Sequence, residues 1–123
     1  MLVAGSGQVQ SDENPILKAT IEAYRDCLRT TDNQLRTGQV APERYAMAIE
    51  GACLSQYEAA TRQMKEHLEA MPHGGVSYEF AQETTAKTMA SIQSSDDRLR
   101  KQFLSAYVLW YASAARPQGK AAR

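Results

Sequence analysis

Cys27 and Cys53 are the only cysteines in this chain of 123 residues. Two chemistries are open to such a pair: an intramolecular disulfide, or two reduced thiols buried as small apolar groups. The surrounding pattern distinguishes them. A break signal, Thr37-Gly38-Gln39-Val40-Ala41-Pro42, separates two long helical patterns. When those helices run antiparallel, residues whose numbers sum to about 80 face each other. Cys27 meets Cys53 in that register, as Leu35 meets Tyr45, Thr31 meets Ile49 and Thr20 meets Ala60. The register favours a disulfide over two thiols, and with it an oxidising compartment. Such a bond closes a loop of about 25 residues and contributes roughly 3.5 kcal/mol through the entropy of the unfolded chain.

Other side chains with chemical potential are arranged less suggestively. His67 lies between Glu66 and Glu69, and His73 follows Pro72 in a turn. Neither belongs to a His-x3-His, Glu-x-x-His or Cys-x-x-Cys-His spacing, so the ligand sets of zinc, di-iron and c-type haem are missing. Serines occur without a Gly-x-Ser-x-Gly elbow. Gly5-x-Gly7 and Gly74-Gly75 lack the Lys-Ser/Thr element of a phosphate loop. Asp96-Asp97 reads as a capping or solvated pair. A cysteine nucleophile requires a nearby histidine, and the register places His67 opposite Glu13, far from both sulfurs. The expectation is no catalytic residue, no metal site and no cofactor.

Positioning these residues takes helices alone. Residues 1–13 are small and polar and read as a lead-in. Asn14-Pro15 caps and starts a helix over about 15–37, with Leu17, Ile21, Tyr24, Leu28, Thr31 and Leu35 on a narrow seam. Gly38 is the expected left-handed stop. Pro42 starts a second helix to about 71, whose stripe is Tyr45, Ile49, Cys53, Tyr57, Ala60, Met64, Leu68 and Met71; Pro72-His73-Gly74-Gly75 ends it. Ser77 caps a third helix over 78–93 with a thin apolar line, Phe80, Ala81, Thr85, Met89 and Ile92. Ser94-Ser95-Asp96-Asp97 favours a break or kink before a fourth helix over 95–115. Arg116-Pro117-Gln118-Gly119 should stop that helix and leave 116–123 as a basic tail. The fold class is all-α: a three- or four-helix bundle, residues 14–115, with an antiparallel disulfide-stapled N-terminal hairpin.

Fourteen basic and fourteen acidic side chains cancel, so no global field marks a nucleic-acid binder. The distribution is uneven. Residues 98–123 contain Arg98, Arg100, Lys101, Arg116, Lys120 and Arg123 and no acid, which reads as a solvated tail or a dock for an acidic partner. No apolar run reaches the length of a membrane-spanning helix. Residues 103–112 are apolar nearly all round, so most of that helix circumference must be covered. A central helix inside the bundle does this; so does a partner or self-association face centred on Phe103, Tyr107, Trp110 and Tyr111. Membrane-surface attachment through Arg98, Arg100 and Lys101 is the third reading. Tyr24, Tyr45 and Tyr57 on the hairpin seam either fill gaps between helices or line a ligand cleft.

The layout Tyr24-x-x-Cys27, a spacer and Ala52-Cys53 within helical flanks resembles small exported proteobacterial proteins with one cysteine per helix, which have no assigned function. The resemblance covers roughly residues 16–70 and implies an envelope location and a disulfide. Met1-Leu2-Val3-Ala4-Gly5-Ser6-Gly7 is similar to the end of an apolar signal core, so Met1 is expected to be an internal start of an exported product. The functional expectation is a non-enzymatic helical interaction protein of the cell envelope, periplasmic or secreted, with a protein partner or a second copy. A cytoplasmic inhibitor or adaptor of phage type and a small-ligand carrier using the bundle interior are the alternatives.

Overall fold

The computed structural model describes residues 14–72 and 74–122, with side-chain environments through Ala114. The 1–13 lead-in, the Met1 start and His73 lie outside the described residues, as do the side chains of the basic tail. The chain forms four helices: α1 (Pro15–Gly38), α2 (Pro42–Gly51), α3 (Leu54–Ala70) and α4 (Tyr78–Ala122). No strand occurs among the described residues, and no helix there is long and apolar enough to cross a membrane.

Local chemistry accounts for most helix ends. Asn14 Oδ1 accepts hydrogen bonds from the Ile16 and Leu17 amides, both at 3.1 Å, while Pro15 occupies the first helical position. These contacts satisfy donors that the helix itself leaves without acceptors. Ser77 Oγ does the same for the Phe80 amide at the start of α4. At the other end of α1 the left-handed residue is Gln39, with φ 51°, rather than Gly38. Gly38 is still helical, so the turn sits one residue later than expected.

The disulfide joins Cys27 on α1 to Cys53, with Cα atoms 6.0 Å apart, and the antiparallel alignment holds around it. Tyr24 of α1 packs on Tyr57 of α3 with ring centroids 5.4 Å apart. Thr31 Oγ1 lies 3.7 Å from Cys53 Sγ. Opening the bond in native buffer with a reductant should lower the unfolding free energy by about 3.5 kcal/mol, the loop-closure value for this separation. Urea titrations with and without reductant check this, and an unchanged midpoint would show that the bond adds nothing to the fold.

The expected second helix, 42–71, is two helices. Its apolar stripe runs unbroken in sequence, yet the backbone turns at Ala52 and Cys53. Cys53 has φ 62°, a left-handed conformation that costs a non-glycine residue about 1–2 kcal/mol. The turn lets the two pieces take different neighbours: α3 packs mainly on α1, whereas α2 swings across to pack mainly on α4. The expected break at 94–97 is absent. α4 continues through Ser94, Ser95, Asp96 and Asp97 because the Asp96 carboxylate, which would otherwise compete for a cap, is occupied by Arg100 one turn on. The helix also passes 116–119 and ends at Ala122; Pro117 keeps a helix-compatible φ and removes one donor.

The core is compact and aromatic. Tyr24, Leu28, Tyr45, Ile49 and Tyr107 form one buried cluster, with Leu35, Val40, Leu99, Phe103 and Leu104 packed around it. Phe80, placed on the apolar line of α4 by its spacing, instead faces outward.

Candidate functional site

Two side-chain clusters of the same construction tie the helices together. In the first, Arg100 of α4 is only 8% exposed. Its Nε donates to Asp96 Oδ2 at 2.9 Å, and Tyr24 Oη donates to Asp96 Oδ1. Arg100 Nη1 reaches the C-terminal end of α2, where it donates to the carbonyls of Glu50 and Ala52, each at 3.0 Å, and to that of Ile49. A continuous 42–71 helix would satisfy those carbonyls with its own amides four residues on. Here a guanidinium from another helix takes that role, which is the physical reason the chain can turn at Ala52-Cys53. The guanidinium carbon also lies 5.6 Å from the Tyr24 ring centroid. Arg100 Nη2 is buried without a hydrogen-bond partner among the described residues.

The second cluster repeats this pattern with the helices exchanged. Tyr45 of α2 donates to Asp32 Oδ1 at 2.6 Å, and Arg36 Nε meets Asp32 Oδ2 at 2.9 Å. The Arg36 guanidinium carbon stands 5.1 Å from the Trp110 ring centroid and 5.8 Å from that of Tyr107. Cation–π attraction at such separations adds about 0.5–1 kcal/mol at partly exposed sites. Between the clusters, Tyr45 and Tyr107 stack with centroids 3.9 Å apart and planes 13° from parallel. Tyr107 Oη then donates to the Val40 carbonyl at 2.5 Å.

These groups are set for holding rather than for proton transfer. Burial pushes the Tyr24 and Tyr45 hydroxyls far above the ordinary tyrosine value, and the carboxylates of Asp96 and Asp32 add to the effect. Tyr57 and Tyr107 shift upward as well, again mainly through burial. Burial works against the Arg100 charge, but Asp96 and Tyr24 outweigh it and hold the guanidinium above its usual value. General acid–base work near neutrality needs a group that titrates near neutrality. The clusters move their tyrosines away from that range.

A pH dependence follows. The folded tyrosines have raised pKa values, so the native state keeps protons that the unfolded chain releases near its ordinary value of 10.0. Their stabilising contribution is fully present below that pH and is lost as pH rises above it. Unfolding free energy should therefore fall steeply above about pH 10, and less steeply in Tyr24→Phe and Tyr45→Phe. Denaturant titrations between pH 8 and about 11.5, read beside tyrosinate absorbance, check the slope.

The expected interface residues divide. Tyr107 is 0% exposed and belongs to the core, not to a partner surface. Phe103, Trp110 and Tyr111 are half-buried and pack against that core. The expectation that Arg100 belongs to a solvated basic zone, and Asp96 to a solvated or capping pair, is corrected by the first cluster. One sequence signal was available for both clusters: Asp32-x-x-x-Arg36 and Asp96-x-x-x-Arg100 are Asp–Arg pairs at helical i,i+4 spacing. Tyr24, Tyr45 and Tyr57 fill the space between helices, and no ligand cleft opens among them. His67 is half-buried on α3. Among the described residues, no group of three or more His, Cys, Asp or Glu could hold a metal ion.

The open space lies elsewhere. A groove of 890 Å³ runs between the end of α3, the 71–77 connection and the first turns of α4, lined by Leu68, Met71, Val76, Phe80 and Met89. Lys65, Glu69 and Gln82 give it polar edges. Met71, Val76, Tyr78 and Phe80 are four of the large apolar residues left exposed, Phe80 by 56%. Sequence reading passed over this site because the same residues look like the ordinary end of one helix and start of the next. No protein-family model matches the chain, and no curated protein or solved structure matches it.

Proposed function

We propose that this chain is a non-enzymatic helical interaction protein of an oxidising compartment, periplasmic or secreted, which docks the apolar face of a protein partner in the α3–α4 groove. The observation that carries this reading is the clustering of Met71, Val76, Tyr78 and Phe80 around one concave surface. Exposed apolar residues scattered singly need no explanation, but a contiguous rimmed patch marks a binding surface. Two features support the rest. The disulfide is at home where thiols oxidise and persist. The buried polar groups are committed to hydrogen bonds between helices, as in a scaffold.

The test is affinity capture under native conditions with Phe80→Asp and Val76→Asp. Both side chains are exposed, so stability should stay within about 0.5 kcal/mol of the parent chain. Partner capture should drop at least tenfold, a loss of about 1.4 kcal/mol. Full capture by both variants would move the binding surface away from the groove. A small apolar ligand is the second reading, favoured by the groove volume, which lies in the range of small-molecule sites. A ligand at 100 times its dissociation constant would add about 2.7 kcal/mol in a thermal-shift screen.

A further inference from the structure

We infer that the groove receives the outer face of the C-terminal half of α4 from a second copy of this chain, so that copies associate head to tail. This rests on the reading of the groove as a docking surface and names its occupant.

Shape is the first argument. On the outer side of α4, Val108 is exposed, and Leu109 is 73% exposed. The exposed neighbours around them are Ser105, Ala106, Ala112 and Ser113. No charged residue occurs between Lys101 and Arg116. A projecting leucine with small residues one turn to either side lets another surface approach the helix backbone closely, since the separation of packed helices is set by the side chains at the contact. The groove offers the complementary concavity, lined by Leu68, Met71, Val76, Phe80 and Met89.

Charge is the second argument, and it selects a copy as the occupant. The chain is neutral overall, with fourteen groups of each sign, but the two surfaces are not. Residues 65–89, which contain most of the groove, carry Glu66, Glu69, Glu79 and Glu83 against Lys65 and Lys87. Residues 98–123 carry basic groups and no acid. Strip against strip would bring Arg98 and Lys101 toward like charges, and groove against groove would oppose glutamates. Groove against strip is the pairing in which the signs complement each other, which steers encounter and suppresses the like-charged alternatives.

Topology makes the contact intermolecular. Phe80 and Leu109 lie on the same helix, separated by about 44 Å of helical rise, so one molecule cannot place its own strip in its own groove. A pair joined this way leaves one groove and one strip open, the condition for rings or open chains.

Sedimentation of the full-length oxidised chain, over a range of concentrations, tests the idea with Phe80→Asp and Leu109→Asp. Wild type should self-associate with an affinity that weakens in high salt, and each variant should associate at least tenfold more weakly. Mixed together, the two variants should form a one-to-one pair and nothing larger, because each supplies the surface the other lacks. Val76→Asp and Val108→Asp form an independent pair should either first variant lose its native denaturation midpoint. A monomeric wild type at high concentration, or variants that fail to pair, would overturn the inference. If wild type is monomeric while Phe80→Asp still loses capture of another protein, the groove docks a different partner and only the self-pairing fails. If Phe80→Asp changes neither capture nor association, both readings fail together.

Discussion

Arg100→Ala is expected to lower the unfolding free energy by about 3–5 kcal/mol, the range for removing one partner of a buried ion pair. Asp96 would stay buried with only the Tyr24 hydroxyl to compensate it. The carbonyls of Ile49, Glu50 and Ala52 would lose a cation that satisfies three of them at once. Arg100→Lys should recover little of the loss, since one ammonium cannot bond Asp96 and the end of α2 together. The twin site supplies the control. Arg36 and Asp32 are 27% and 15% exposed, so Arg36→Ala should cost only about 1–2 kcal/mol from the weaker ion pair and its ring contacts. Urea denaturation of the variants checks the ranking, and equal losses at the two arginines would mean that burial and carbonyl capping at Arg100 contribute nothing special.

Tyr107→Ala should be comparably severe, at about 3–5 kcal/mol, the range for truncating a buried aromatic side chain. The residue is fully buried and stacked on Tyr45, and neighbours Trp110 and Tyr111 at centroid distances of 5.5 and 5.9 Å. Tyr107→Phe keeps the stacked ring and removes only the hydrogen bond to Val40, so it should cost about 1 kcal/mol, and more if the carbonyl stays unsatisfied. The difference between the two variants isolates the ring from its hydroxyl. A Tyr107→Ala chain that unfolds at the parental denaturant midpoint would contradict the core assignment.

Short-range rules were enough to read the frame from sequence. Asn14-Pro15, Pro42, Pro72 and Ser77 mark chain turns through local chemistry, and all four mark real boundaries. The cysteine register was readable because rigid antiparallel helices conserve alignment over several turns. What escaped depends on groups distant in sequence. The joint at Ala52-Cys53 exists because Arg100, some fifty residues later, can cap α2. The same arginine occupies Asp96, so the polar run 94–97 stays helical instead of breaking. Tyr107 could be ranked as apolar, but whether it met a partner or Tyr45 depended on which way α2 turned. The groove was invisible for a related reason: its walls come from three segments whose individual patterns are unexceptional.

The uninterrupted α4 also governs the outline of the molecule. Its 45 residues trace a contour of about 68 Å, against about 36 Å for α1 with 24 residues. A compact ball of this chain length would have a radius of gyration of about 14 Å. Small-angle scattering should therefore report an elongated particle. The axial repeat of any stack of copies would be set by that single rod, as a brick's length sets the course of a wall.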